Sequence, residues 1–159
     1  MEDTSKKFKQ QGKFKVVEGS ILTPENSGLK LIVNFINMKG TVDDEIYKTF
    51  DKKWQKIKQD VKGLYSTKTG EYKLGTLSKE TTAVQSDVWV AHLLVKNEGV
   101  VNDEALGVAL KKLATFALAE KATVHVSSLL MKQSNKMLEL LKTHLLENGV
   151  SVAVYNEQQ

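Results

Sequence analysis

The chain has 159 residues, enough for one domain with a sizeable core, and its 41% hydrophobic and 26% charged residues exclude a disordered polymer. It has no cysteine, which excludes disulfides, thiolate catalysis and cysteine-based zinc sites. The net charge of +4 is uneven: Lys6, Lys7, Lys9, Lys13 and Lys15 against Glu2 and Asp3 give the first 15 residues +3, leaving +1 for the rest.

Residues 1 to 12 read as a flexible lysine-rich tail, and 13 to 159 as one domain. Phe14 to Val17 form a short β-rich run closed by Gly19, and Thr23 to Gly28 is a loop by its turn residues. Leu29 to Phe35 is a second strand, with Leu31, Ile32 and Val33 apolar in succession as in a strand buried on both faces. Thr41 is a plausible N-cap for the first helix, with Asp43, Asp44 and Glu45 in the turn where the helix dipole favours negative charge. Ile46, Phe50, Trp54, Ile57 and Val61 recur at helical spacing, so one helix is predicted up to a stop at Gly63.

Tyr72 to Leu77 and Val88 to Val95 are strand candidates separated by a polar, turn-like stretch, and Asn97 to Val101 is a loop. Asn102 can cap a second helix with Leu106, Leu110, Leu113 and Ala117 inward. Ala122 to Val126 is a strand followed by a short loop. Ser134 caps the last helix, where Met137, Leu138, Leu141 and Leu145 face inward. Gly149 takes the left-handed exit and Val150 to Tyr155 closes the domain. The order β, β, α, β, β, α, β, α, β predicts a three-layer α/β/α fold around a mixed, largely parallel sheet. In such sheets ligands bind at the carboxyl ends of strands, so the loops at 19 to 28, 36 to 43 and 127 to 134 are the places to look.

Few chemical motifs appear. His92, His125 and His144 have no metal spacing; the first two fall in strands and read as packed, the third as exposed on a helix. No nucleophile elbow, Gly-Lys-Ser/Thr phosphate loop or Gly-x-Gly-x-x-Gly is present. No catalytic residue, metal ligand or cofactor is therefore assigned. No run of about 18 apolar residues exists to span a membrane, and no signal peptide is seen, so an intracellular protein, cytoplasmic or nuclear, is expected. The 23 basic residues include no arginine, which argues against reading DNA sequence but not against loose phosphate attraction by lysine.

Val16-Val17-Glu18-Gly19-Ser20-Ile21-Leu22 resembles the opening strand of macro domains, which ends in Gly-Asp-Ile or Gly-Asp-Leu. Ile32-Val33-Asn34-Phe35-Ile36-Asn37 resembles their Val-Asn-Ala-Ala-Asn segment, and Gly40-Thr41-Val42-Asp43-Asp44-Glu45-Ile46 their Gly-Gly-Val-Asp-Gly-Ala-Ile helix start. Ala122 to Val126 and Leu141 to Tyr155 match the last two strands and the helix between them. The resemblance covers residues 14 to 156 and lies nearest the short modules of glutamate-directed ADP-ribosyl hydrolases and of chromatin remodellers. It implies binding of ADP-ribose, a related nucleotide or an ADP-ribosylated protein, with ligand contacts at Ser20, Ile21, Asn37, Lys39, Gly40, Thr41, Val42, Ser127, Ser128, Leu129 and Tyr155.

The departures are specific. Ser20 stands where the family has an aspartate that accepts from the adenine amino group. Met38-Lys39-Gly40-Thr41 keeps one glycine of a glycine-rich phosphate loop. Ser127 to Lys132 keeps none, and Ala122 to Leu138 contains no acid for hydrolysis. Asp44 and Glu45 add negative charge where phosphates would sit, which Lys39 would offset in part. A degenerate binding module is the expected function. The alternatives are a scaffold that has lost ADP-ribose and binds nucleic acid, through the Lys-rich tail, or a protein partner, and an ADP-ribosyl hydrolase.

Overall fold

The computed structural model describes residues 11–38, 42, 44–67, 73–78 and 81–157. The predicted tail therefore lies outside the described residues except at its last two positions. So do Lys39, Gly40, Thr41 and Asp43, and the start of the predicted strand at Tyr72.

The elements in order are β1 (Phe14–Glu18), β2 (Lys30–Asn37), α1 (Glu45–Asp51), α2 (Lys56–Thr67), β3 (Thr76–Leu77), β4 (Thr82–Gln85), β5 (Val88–Asn97), β6 (Val100–Val101), α3 (Asp103–Glu120), β7 (Thr123–Ser127), α4 (Ser128–Met131), α5 (Met137–His144) and β8 (Val152–Asn156). Among the described residues they form one sheet in the order β1-β8-β7-β2-β5-β3, with β4 and β6 also on β5. The five strands from β1 to β5 in that order pair in parallel, and the three short strands run antiparallel to β5. This is the mixed, largely parallel α/β architecture expected.

Sequence chemistry explains the middle of the sheet. Every residue of β2 is buried, as is β5 apart from partly covered Trp89 and exposed Asn97, because both strands have helices on each face. The register sets Trp89 on the face opposite His92, and Trp89 meets Phe116 of α3, while the His92 face meets α1 through Asn34 and Tyr47. Helices α3 and α1 thus cover opposite faces, giving three layers. Asn102 caps α3 as expected, its side chain accepting from the Ala105 amide at 2.9 Å. Gly149 ends the turn before β8 at φ 89°, the left-handed conformation glycine adopts without steric cost.

Four expectations are corrected. The predicted first helix is two: α1 ends at Asp51, and α2 starts at Lys56 and runs past Gly63 to Thr67. The apolar spacing survives the break because Phe50, Trp54, Ile57 and Val61 all remain buried. The polar stretch before β5 contains β4, an edge hairpin partner whose outward residues need not be apolar. The loop expected at 127 to 134 contains the four-residue helix α4, capped by Ser127, whose hydroxyl accepts from the Leu129 amide at 3.2 Å. Ser134 supports the turn before α5, accepting from the Lys136 amide, but the helix begins three residues later.

Candidate functional site

The parallel strands all end on one side of the sheet, and the loops leaving them enclose a cleft. Gly19 and Ser20 follow β1, Glu157 follows β8, and Leu129 follows β7. Glu45, Lys48 and Thr49 of α1 and Lys52 just after it form the opposite wall, and the space between is about 500 Å³. An adjoining recess of about 470 Å³ shares Glu45 and Leu129 and continues past Asp44, Lys96, Val100 and Lys132. This is the location that an open parallel sheet offers a ligand, because strand ends diverge there and leave backbone groups uncovered.

The wall after β1 is a tight turn. The Thr23 amide donates to the Ser20 carbonyl at 3.1 Å, and the Leu22 amide to Ser20 Oγ at 3.1 Å. Ser20 Oγ donates in turn to Glu157 Oε1 at 3.0 Å, and the Ile21 amide donates to Glu157 Oε2 at 2.9 Å. The Glu157 amide donates to Ser128 Oγ at 3.2 Å. Residues expected to touch ligand thus converge here, but they are joined by a glutamate that sequence reading did not single out. Glu157 becomes visible only once β8 is known to lie parallel to β1 with Glu18 opposite Asn156, which brings residue 157 beside Gly19.

The far wall differs from expectation in its charge. Asp44 precedes α1 without capping it, and its carboxylate pairs with the ammonium of Lys96, a lysine only 2% exposed at the end of β5. Of the two acids expected to repel phosphates, Asp44 is therefore neutralised from β5, while Glu45 stays in the cleft lining. Lys48 and Lys52 add two cations to the cleft lining. They fall with Glu45 and Thr49 at helical spacing opposite buried Ile46, Tyr47 and Phe50. From sequence this stripe reads as an ordinary solvated face.

The remaining predicted contacts are placed as follows. Ser20 and Leu129 line the cleft, Ile21 is buried with its amide bound to Glu157, and Ser128 braces Glu157. Asn37 is buried at the end of β2, where the register with β5 shifts, and Val42 packs partly buried against the core. Ser127 is buried as the cap of α4. Tyr155 is fully buried, so its ring offers no face for a base to stack on. Its hydroxyl accepts from the Glu25 amide at 2.7 Å and is 2.8 Å from His125 Nδ1. Donation of its proton to His125 Nδ1, with His125 Nε2–H donating to Thr123 Oγ1 at 2.7 Å, satisfies all three side chains at once. Burial is the main cause that pulls His125 down to about 4, with Lys30 and Lys15 adding to it.

A second histidine lies under the other wall. Thr82 Oγ1 donates to Asp60 at 2.8 Å and so accepts from His92 Nε2–H at 2.8 Å. His92 Nδ1 then accepts from Asn34 Nδ2 at 3.0 Å, which also donates to the Tyr47 hydroxyl at 3.1 Å. Burial pulls His92 down to about 4, against the opposing charge of Asp60. Both strand histidines are packed, as expected; His144 is half-buried rather than exposed, with Nε2 facing Gly107.

No group of three or more histidine or acidic side chains is placed to hold a metal among the described residues. Nor is any described helix long and apolar enough to cross a membrane.

No protein-family profile matches the chain, and no curated protein matches it. Solved structures do. A macrodomain protein from Streptomyces coelicolor is 22% identical, with TM-score 0.81 over 91% of this chain and 99% of that one. The macrodomain of Thermus aquaticus DarG is 16% identical, with TM-score 0.68 over 91% and 99%. Thermosipho africanus DarTG in complex with ADP-ribose is 12% identical, with TM-score 0.62 over 81% of this chain and 38% of that one. Sheet order, cleft position and these likenesses agree: the chain has the macrodomain fold.

Proposed function

We propose that this domain is a binding module for ADP-ribose, a related adenine nucleotide or an ADP-ribosylated protein, and that it binds without turning the ligand over. The observation that carries the reading is the open cleft at the carboxyl ends of β1, β8 and β7, with Lys48 and Lys52 on one wall. A cleft of about 500 Å³ falls in the range of small-molecule sites. Its cations attract a diphosphate as point charges, without the bidentate fork that arginine would supply. Closure of the groove by Leu129, Leu130 and Met131 would have favoured loss of the ligand. Instead Leu130 is buried in the core and Leu129 forms part of the wall. The structure of Thermosipho DarTG contains ADP-ribose, which makes that ligand the first to test.

Binding is favoured over hydrolysis because residues 122 to 138 carry no carboxylate, and the one histidine there, His125, is buried with both ring nitrogens engaged by Thr123 and Tyr155. Titration calorimetry with ADP-ribose is the test. The expected result is a single site with a rise in melting temperature that follows ligand concentration. No heat and no thermal shift at millimolar ADP-ribose would sink the reading. Loss of ADP-ribose from modified glutamate, aspartate or serine substrates would overturn its non-catalytic part.

A further inference from the structure

The turn after β1 presents two donors toward the cleft, the Ile21 amide and the Ser20 hydroxyl, and both are taken by Glu157. Each carboxylate oxygen receives one of these bonds, and each has a second lone-pair direction. Glu157 is itself held from behind, by its own amide on Ser128 Oγ. The clamp converts a wall of donors into a wall of acceptors. Glu157 lines the cleft itself, whereas Lys96 and Lys132 line the adjoining recess. A carbonyl or phosphate oxygen placed against this wall would meet a negative acceptor and be repelled. A neutral N–H group would gain a charge-assisted hydrogen bond.

We propose that Glu157 is the specificity residue of the cleft, reading an exocyclic amine on the base of a bound nucleotide. The assignment rests on the nucleotide-binding reading above and deepens it. It explains how Ser20 can occupy its position without leaving the site short of an acceptor: the serine positions a carboxylate delivered from the segment after β8. The anionic part of the same ligand then runs away from Glu157 along Lys48 and Lys52. A base bearing its amine and a diphosphate bearing its charge are thus placed against complementary walls.

The test compares ADP with purine riboside 5′-diphosphate, which is the same nucleotide with hydrogen in place of the amine. The full chain is titrated with each. Wild type should bind ADP about tenfold or more tightly than the analogue, the discrimination one charge-assisted hydrogen bond supplies. In Glu157→Ala the preference for ADP over the analogue should vanish, the two affinities becoming equal. Adding Ser20→Asp to Glu157→Ala returns an acceptor from the turn itself and should restore the preference. Melting curves of the variants establish that they fold. If Glu157→Ala binds both nucleotides more tightly, Glu157 is a plug and the assignment is overturned. An ADP preference that persists without Glu157 also overturns it, leaving the nucleotide-binding reading intact. Failure of ADP, the analogue and ADP-ribose alike to bind the wild-type chain overturns both.

Discussion

The two halves of the sheet carry buried networks of nearly the same composition, each beneath one wall of the cleft. Under the β1–β8 side, His125 joins Thr123 through Nε2 and Tyr155 through Nδ1, and Tyr155 reaches the loop after β1 at Glu25. Under the α1 side, His92 joins Thr82 through Nε2 and Asn34 through Nδ1, and Asn34 reaches α1 at Tyr47. The difference lies in how they end. The His125 network closes, with the Tyr155 hydroxyl fully engaged. The His92 network ends on a carboxylate, Asp60, and leaves Asn34 Oδ1 buried with no partner among the described residues. The electrostatics differ in the same way: lysines lie near His125 and an acid near His92. A closed network fixes a wall by satisfying every group; an open one fixes it while storing an unsatisfied acceptor.

Acid should break both networks and produce the largest effect. Each histidine titrates near 6.5 when unfolded and at about 4 when folded, because burial disfavours the charged imidazolium. The unfolded chain then binds more protons between these values, so stability is complete above pH 6.5 and falls as pH drops toward 4. The loss is about 3 kcal/mol per histidine, comparable in sum with the whole stability of an ordinary domain. Denaturant melts at pH 7, 6 and 5 check this, with His92→Gln and His125→Gln each removing one share of the slope. A flat profile between pH 6.5 and 4.5 would contradict the neutral tautomers assigned here.

Removing one hydroxyl from each network sharpens the contrast. Tyr155→Phe strips a partner from both His125 Nδ1 and the Glu25 amide and should cost about 2 kcal/mol. It should also speed amide exchange in residues 20 to 25, because that loop loses its tie to the sheet. Tyr47→Phe leaves Asn34 Nδ2 still bound to His92 and should cost about 1 kcal/mol. A larger loss for Tyr47→Phe would mean that the open network is the tighter one, and equal losses would erase the contrast.

These networks also mark the limit of what sequence could reveal. The scaffold was legible because continuous apolar runs at Leu31 to Val33 and Val88 to Val95 and the helical spacing of Leu106 to Ala117 have one low-energy arrangement. The Asn102 cap and the Gly149 exit were legible because their chemistry is local. The site was less so. Glu157 meets Ser20 across 137 positions, and Lys96 meets Asp44 across 52, so neither pairing has a local signature. Tyr155 counts among the expected ligand contacts because an aromatic at a strand end looks the same whether its ring faces a ligand or the core. The strand register, which sets it beside Val17 and Ser127, decides between them. The break between α1 and α2 was hidden for the opposite reason: its apolar spacing continues as if nothing had happened.

The smallest expected effect isolates the electrostatic half of the comparison. Lys15 lies in β1 opposite Ala153, which in turn lies opposite His125, so all three share one face of the sheet. Lys15 and Lys13 line a recess of about 170 Å³ above the imidazole. Lys15→Gln removes a positive charge without disturbing any hydrogen bond of the network, so the His125 pKa should move upward while His92 keeps its value. Lys15 is about half exposed and pairs with Glu25 across 3.6 Å, so solvent and salt screen its field. The upward shift should therefore shrink as salt is added, and stability at pH 5 should rise slightly relative to wild type. Imidazole resonances followed by NMR through the titration report both histidines at once. An equal shift at His92 would show that the substitution acts through the fold rather than through charge, and would remove the electrostatic distinction between the two networks.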